Sequence, residues 1–276
     1  MTTTVVRDRG LVPFLVDCEV VAVRNLRIIA RNLQMLLGVV LQPLMFVLLF
    51  SYVFGDALGG DRYREFLIGG IMAQTVTFNA GYTALGLSTD LDTGMVDRMR
   101  SLPMSRAAII MGRTVSDLTI NVVGLAVMTV AGYVIGFRIS EGFWFAVGSF
   151  GTALTFGFAL SWVGAIIGLI SASAQAAQTL LMTVVFPVSF VSSAFIPSRL
   201  LPEPLRFLAS WNPVTAVARS FRQGFGNPIS ANPSVREPIT WASQHAQAYT
   251  IICSAVILLI AVPIATRILN RRLSDR

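Results

Sequence analysis

Apolar runs of about twenty residues, free of charge except near their ends, recur along this chain, divided by short stretches in which arginine, aspartate, proline and asparagine collect. The runs lie at about 35–54, 66–87, 115–137, 145–170, 179–195 and 248–268. Each is long enough, at about 1.5 Å per helical residue, to cross a hydrocarbon layer of about 30 Å. The pattern predicts an all-α integral membrane protein with six transmembrane helices. Proline breaks the first run at Pro43, and the second carries Gln74 and Asn79 among threonines and glycines. A further stretch, 14–33, is apolar enough to pass for a span by eye. It would, however, place Asp17, Glu19, Arg24 and Arg27 in the bilayer, at about 2.5–3.5 kcal/mol each near the centre. Its spacing fits a helix lying on the membrane surface instead. Ala22, Leu26, Ile29 and Leu33 form one stripe and Arg24, Arg27 and Arg31 another. Residues 1–34 therefore read as an amphipathic interfacial segment, with an ordinary solvated helix as the alternative.

Composition agrees with lipid as the solvent. Of the 276 residues, 54% are hydrophobic and 13% charged, and the mean hydropathy is +0.70. A soluble domain carries about 25% charged residues to cover its exterior, so an oily soluble domain fits poorly. The formal charge of +7 comes from arginine alone, because the chain has no lysine. These arginines cluster beside apolar runs, where topology signals sit, and do not make a basic stripe for nucleic acid. Arg24, Arg27, Arg31, Arg98, Arg100, Arg106, Arg113, Arg271 and Arg272 all fall near span ends on one side. That side is the cytoplasm by the positive-inside rule, so both termini and the 90–113 loop are expected inside and 196–247 outside. In the outer stretch, Val214, Val217, Phe221 and Phe225 recur at helical spacing. Short amphipathic helices at the outer interface account for this, and a folded external cap competes.

The candidate chemistry is sparse. Without lysine these residues contain no P-loop, which needs Gly-Lys-Ser/Thr to reach the nucleotide phosphates. Cys18, Cys253 and the lone His245 have neither disulfide nor metal spacing. No charged residue falls in the middle of a run, and Asp117 lies about one turn inside the third. Ion-coupled carriers commonly keep ionisable groups there. A path lined by Gln74, Asn79, Asn121, Phe186 and Phe190 suits a large hydrophobic or amphipathic molecule.

The loop Asp90-Leu-Asp-Thr-Gly-Met-Val-Asp-Arg-Met-Arg-Ser-Leu-Pro103 is the other focus. Asp92 or Thr93 can cap a short helix that Pro103 stops. Met95, Met99 and Leu102 make its apolar edge, with Asp97, Arg98 and Arg100 off it. Such a helix fits a groove in a soluble partner, and methionine adapts to the surface it meets. The competing readings are a Mg²⁺ site on Asp90, Asp92 and Asp97, and a solvated loop.

The basic N-terminal segment, this loop, and the Ile-Pro…Leu-Pro…Asn-Pro…Arg order after the fifth run resemble the ABC-2-type exporter permeases. The likeness is strongest to those of the daunorubicin-resistance kind. Tyr52-Val-Phe-Gly55 and Val134-Ile-Gly-Phe-Arg138 look like the same branch. The resemblance implies two six-span permease subunits, identical or related, in a bacterial plasma membrane. They would pair with two separate ATP-binding-cassette ATPases that carry ATP and Mg²⁺, leaving this chain without a cofactor or catalytic site. It also implies export of a drug, antibiotic or lipid. Asp92, Thr93, Gly94, Met95, Asp97, Arg98, Met99, Arg100, Leu102 and Pro103 would form the coupling helix, and residues 20–32 the connecting helix. The short helices of 197–222 would lie near the outer leaflet. Many relatives carry Glu-x-Gly-Thr followed by Glu in the coupling loop, whereas here Met95 follows Gly94 and the later acid is Asp97. An ATP-independent carrier or channel, and a membrane-embedded enzyme, are the alternative readings.

Overall fold

The computed structural model describes residues 11–96, 98, 106–230 and 237–274. Among these residues all regular structure is helical. Helix α1 (Leu11–Arg31) leads into α2 (Leu33–Leu48), which continues as a π-helical turn, Leu49–Val53. After the four-residue α3 (Gly55–Leu58) come α4 (Asp61–Asp92), α5 (Arg106–Val134), α6 (Phe143–Ile170) and α7 (Ala174–Phe190). A 3-10 turn at Ser198–Leu200 precedes α8 (Glu203–Ser210), α9 (Pro213–Phe225), α10 (Trp241–Gln244) and α11 (Ala246–Ser274).

Among the described residues four segments are both long and apolar enough to cross a membrane: Leu36–Val53, Ala107–Val134, Phe143–Ile170 and Ala246–Arg272. The two other predicted spans differ from these in opposite ways. Helix α7 is apolar but only 17 residues long. Helix α4 is 32 residues long, but Gln74, Asn79 and four threonines dilute its hydropathy.

That polarity is tolerated because α4 occupies the centre of the bundle, packed by α5, α6, α7 and α9. From Phe66 to Gly81 every residue of α4 is buried. Thr75 and Thr77 turn their hydroxyls back to the carbonyls of Ile71 and Ala73, so neither asks for an outside partner. Small residues bring α6 close. A Cβ at Gly164 would fall 2.4 Å from the Ala80 carbonyl oxygen, and one at Gly168 2.6 Å from that of Ala84. Backbones this near gain dispersion contacts, the main attraction between helices in lipid.

Two apolar clusters close the ends of the bundle. At one end Val21 of α1, Leu87 of α4, Val96, Ile109 and Ile110 of α5, and Leu269 of α11 pack together. At the other, Tyr63, Phe66, Phe137, Phe156, Phe221 and Phe225 form an aromatic core. The end with α1 therefore also gathers the tail of α11.

Helix α1 forms where an amphipathic segment was expected, but its faces are used differently. Ala22 and Ile29 of the predicted lipid-facing stripe are buried with Cys18, Val21 and Asn25, while Leu33 is exposed at the start of α2. The cause is Gly112 of α5, whose missing side chain lets α1 approach: a Cβ there would sit 2.6 Å from the Cys18 carbonyl oxygen. Val12, Leu15, Val16, Val20 and Ile28 are left exposed beside Arg27 and Arg31. The stretch 196–247 also departs from expectation. It forms short helices, but α9 is enclosed by α4, α6 and α11 and does not lie along a surface. Exposed apolar side chains remain along α2 (Leu37, Leu41, Met45, Leu48), α7 (Leu180, Val184, Val188) and α11 (Ile252, Val256, Leu259).

The contact at Gly164 predicts a specific sensitivity. Gly164→Ala should lower the unfolding free energy by about 1–3 kcal/mol through overpacking. Gly151→Ala, where nothing lies within 4 Å of the added carbon, should be neutral or better. Thermal unfolding of the two purified variants in one detergent checks this, and equal losses would contradict the packing.

Candidate functional site

A cleft of about 90 Å³ opens where α2, α4 and α7 meet. Gln42 and Phe46 of α2, Gln74, Thr75, Phe78, Asn79 and Tyr82 of α4, and Gln178 and Met182 of α7 line it. Pro43 and Val39, four residues earlier, line it too. Proline has no N–H, so the usual helical donor to the carbonyl of Val39 is missing at the cleft wall. Every polar side chain lining the cleft is neutral: amide, hydroxyl or phenol.

The two amides of α4 stand in different situations. Asn79 donates from Nδ2 to Asn121 Oδ1 of α5 at 2.9 Å, and both residues are buried. Gln74 is only 3% exposed, and among the described residues neither its Oε1 nor its Nε2 has a hydrogen-bond partner. An orphaned amide is costly, because the donor and the acceptor have both lost water without replacement.

Of the five path residues expected from sequence, the structure brings Gln74 and Asn79 to the cleft. Asn121 stands behind Asn79 and fixes its amide. Phe186 meets the far side of Phe78 edge-on, with ring centroids 6.1 Å apart, and stacks on Phe190 at 4.5 Å. Those two phenylalanines brace the wall and are themselves substantially exposed. Sequence reasoning missed Gln42, Tyr82 and Gln178. Gln42 is a lone amide beside a proline in an apolar run, which was a usable signal. Gln178 lay in a stretch read as a link between spans, and only the earlier start of α7 turns it inward.

From the cleft a polar seam follows the α4–α5 contact toward the α1 end. Next to the Asn79–Asn121 pair, the Thr83 hydroxyl donates to the buried carboxylate of Asp117. One turn further, Arg113 lies across α4 directly over Gly86, where a Cβ would fall 1.5 Å from its Nη2. Arg113 donates to the Tyr82 carbonyl oxygen at 3.1 Å and to Asp90 Oδ2 at 3.3 Å. Arg24 of α1 donates to the same Asp90 oxygen at 2.7 Å. One carboxylate thus ties α1, α4 and α5 together. Arg27 and Arg31, predicted to share a face with Arg24, remain exposed.

The segment after Asp90 is less loop than expected, since α4 runs on to Asp92. The Asp92 carboxylate accepts from the Ala174 N–H at 3.2 Å, so it caps the first turn of α7. Thr93 returns its hydroxyl to the Thr89 carbonyl, and Gly94 turns the chain at φ +66°. Met95, Val96 and Arg98 are helical, with Val96 buried in the apolar cluster and Arg98 exposed. Asp97, Met99, Arg100, Leu102 and Pro103 lie outside the described residues.

The opposite end holds a buried arginine that the sequence did not single out. Arg222 of α9 donates from Nε to the Phe66 carbonyl oxygen at 2.8 Å and from Nη2 to that of Ser193 at 2.8 Å. Its guanidinium lies 3.5 Å from the Phe66 ring centroid. Nearby Arg219 pairs with Glu237 at 3.4 Å; burial lowers the pKa of Arg219 and the carboxylate raises it. Arg222 thereby holds the chain beyond α7 onto α4, at the far end from Asp90.

The sequence model of the ABC-2 type transporter family matches residues 17–225. The chain is also 32% identical over 190 residues to the daunorubicin resistance ABC transporter permease protein DrrB1 of Streptomyces coeruleorubidus, covering 68% of this chain and 67% of that protein.

The paired amides give a test of the seam. Asn79→Leu or Asn121→Leu alone strands a buried amide and should cost about 1–2 kcal/mol. The double variant should cost less than the sum, with a coupling of about 0.6–2 kcal/mol. Unfolding of all four forms in detergent measures the cycle, and strict additivity would mean that the amides are not bonded.

Proposed function

The chain belongs to the ABC-2 type transporter family as a membrane permease of an ABC exporter, and from that premise we propose that it moves a hydrophobic or amphipathic compound out of the cell, driven by a separate ATP-binding-cassette ATPase. The cargo class is a drug, an antibiotic or a lipid. The observation that carries this reading is the cleft between α2, α4 and α7. It is apolar on the Phe46 and Phe78 side, dotted with neutral amides, and without a charged lining residue. Such a surface suits a body that is apolar over most of its area and polar at a few points.

The membrane arrangement belongs to the same proposal. Six spans are α2, α4, α5, α6, α7 and α11. Helix α4 spans about 48 Å at 1.5 Å per residue, ample for the bilayer, and its polar residues face protein in place of lipid. Helix α7 reaches about 25 Å. The shared cluster of Val21, Val96 and Leu269 supports an even number of crossings with both termini on one face. The arginines at that end favour the cytoplasm of a bacterial inner membrane. A second permease subunit, identical or related, and membrane lipid would together cover the exposed faces of α2, α7 and α11.

The drive comes from outside these residues, since a chain without lysine holds no P-loop to bind ATP and Mg²⁺. The ATPase docks at the segment from Asp92 to Pro103. Its first turn leans on the bundle through Met95 and Val96, and Asp92 links it to α7. Motion imposed there bears directly on α4 and α7, two of the three helices that form the cleft.

Co-expression with a P-loop ATPase tests the reading. The two should purify as a complex, and proteoliposomes containing both should move an apolar fluorescent dye only when ATP is supplied. Undiminished transport by this chain alone would reject it. Met99→Asp should abolish ATPase capture or coupling while membrane insertion is unaffected; lost insertion would show that the segment is not a docking element.

A further inference from the structure

We propose that the cleft selects cargo by one uncharged group that both donates and accepts a hydrogen bond, such as a carboxamide or a sugar hydroxyl pair, and that Gln74 is the residue that reads it. The inference rests on the export reading above and narrows its substrate class.

Three observations carry it. Gln74 is almost wholly buried at the cleft wall, and both atoms of its amide lack partners. Buried side-chain amides nearly always find partners in folded proteins, so one that is empty on both sides is matched to something else. Its near neighbour Asn79 shows that the same helix satisfies an amide when the role is internal, since Asn121 answers it at 2.9 Å. Second, the other polar side chains of the cleft repeat the chemistry: Gln42, Gln178, Thr75 and Tyr82 all offer neutral donors and acceptors.

Third, among the described residues no carboxylate or guanidinium lines the cleft, and the carboxylates along the seam toward the α1 end have partners of their own. Asp90 is held between Arg24 and Arg113. Asp117 receives the Thr83 hydroxyl from behind the cleft wall and does not line the cleft. A cationic amine entering the cleft would shed water with no carboxylate to replace it, and an anion would find no guanidinium. A neutral group that answers Gln74 on both sides loses nothing comparable. A site built to hydrogen-bond such a group also discriminates strongly against an analogue that lacks it.

Equilibrium binding tests this without ATP, and so separately from transport. The probes are a coumarin dye bearing a primary carboxamide and the same dye bearing a trimethylammonium group. They are titrated by fluorescence anisotropy into the permease–ATPase complex in lipid nanodiscs. The carboxamide dye should bind at least roughly tenfold more tightly than the cation. Gln74→Leu should weaken the carboxamide dye by roughly three- to tenfold and leave the cation unchanged. Gln74→Glu should gain affinity for the cation, a change that a misfolded protein does not produce. Equal binding of the two dyes, carboxamide binding indifferent to Gln74→Leu, or no binding of either dye to a complex that hydrolyses ATP would each overturn the proposal. Gln74-dependent binding in a complex that transports nothing would uphold the site while removing the export reading.

Discussion

A buried polar side chain has no water to turn to, and the arrangement of this protein follows from how α4 meets that constraint. Gln74, Thr75, Thr77, Asn79 and Thr83 would be costly on a helix facing lipid. The bundle therefore encloses α4. Helix α6 presses on it through Gly164 and Gly168, α5 supplies Asn121 and Asp117, and the threonines at 75 and 77 satisfy themselves on the helix backbone. The apolar α2, α5, α6, α7 and α11 can then face outward with ordinary hydrophobic surface. Fold and functional surface thus share one helix, because the helix that must be enclosed also lines the cleft.

Charge is distributed by the same logic. Between Glu65 and Asp90 helix α4 carries none, and its ionic contacts gather at the two ends. At the α1 end one carboxylate serves two arginines. At the other, Arg222 is stabilised by carbonyl oxygens and an aromatic face, with no carboxylate in direct contact among the described residues. A buried guanidinium met only by dipoles sacrifices some stability relative to a paired one, but its planar fork fixes several strands of chain at once. Here it holds Phe66, Ser193 and Ala194, so the chain leaving α7 is registered against α4. Asp92 registers the start of α7 at the opposite end. Helix α7 is therefore referenced to α4 at both termini, and between them Leu181 and Val185 pack with Phe78 and Ala84 while Leu180, Val184 and Val188 stay exposed.

Much of this was legible in the sequence because hydropathy and helical period are local properties. The apolar runs, the exclusion of 14–33 from the spans and the interest of Gln74 and Asn79 all came from residues within a few turns of one another. What escaped depended on neighbours distant in the chain. Ala22 and Ile29 read as a lipid-facing stripe, but Gly112, some 83 residues beyond Ile29, made room for α1 on α5. Asp90 and Arg113 looked like loop charges, but both lie on helices, and Gly86 leaves a channel for the guanidinium to reach across α4. Phe221 and Phe225 showed the correct period for a helix, yet a period states which residues share a face and not whether protein or lipid covers it. Arg222 could not be found by pattern at all, since its partners are mostly backbone carbonyls of residues distant in the chain.

The cleft and the α1 end are linked by one uninterrupted piece of helix. From Gln74 to Asp90 is about 24 Å of α4 at 1.5 Å per residue, with neither proline nor π-bulge between them. Such a segment has few soft modes, so a displacement of its last turns reappears at the cleft as tilt or translation, not as bending. The seam to α5 adds a second rail, because Arg113 grips both Asp90 at the end and the Tyr82 carbonyl beside the cleft. By contrast α2, the third wall, carries Pro43 within the cleft and a π-helical turn just beyond it. Both features weaken the regular hydrogen-bond ladder and concentrate compliance there. The cleft is therefore bounded by one stiff wall gripped by Arg24 and Arg113 at the α1 end and one compliant wall whose hydrogen-bond ladder is interrupted at the cleft itself. Relative motion between those two walls is the deformation that changes the width of the cleft at least cost to the packed interior.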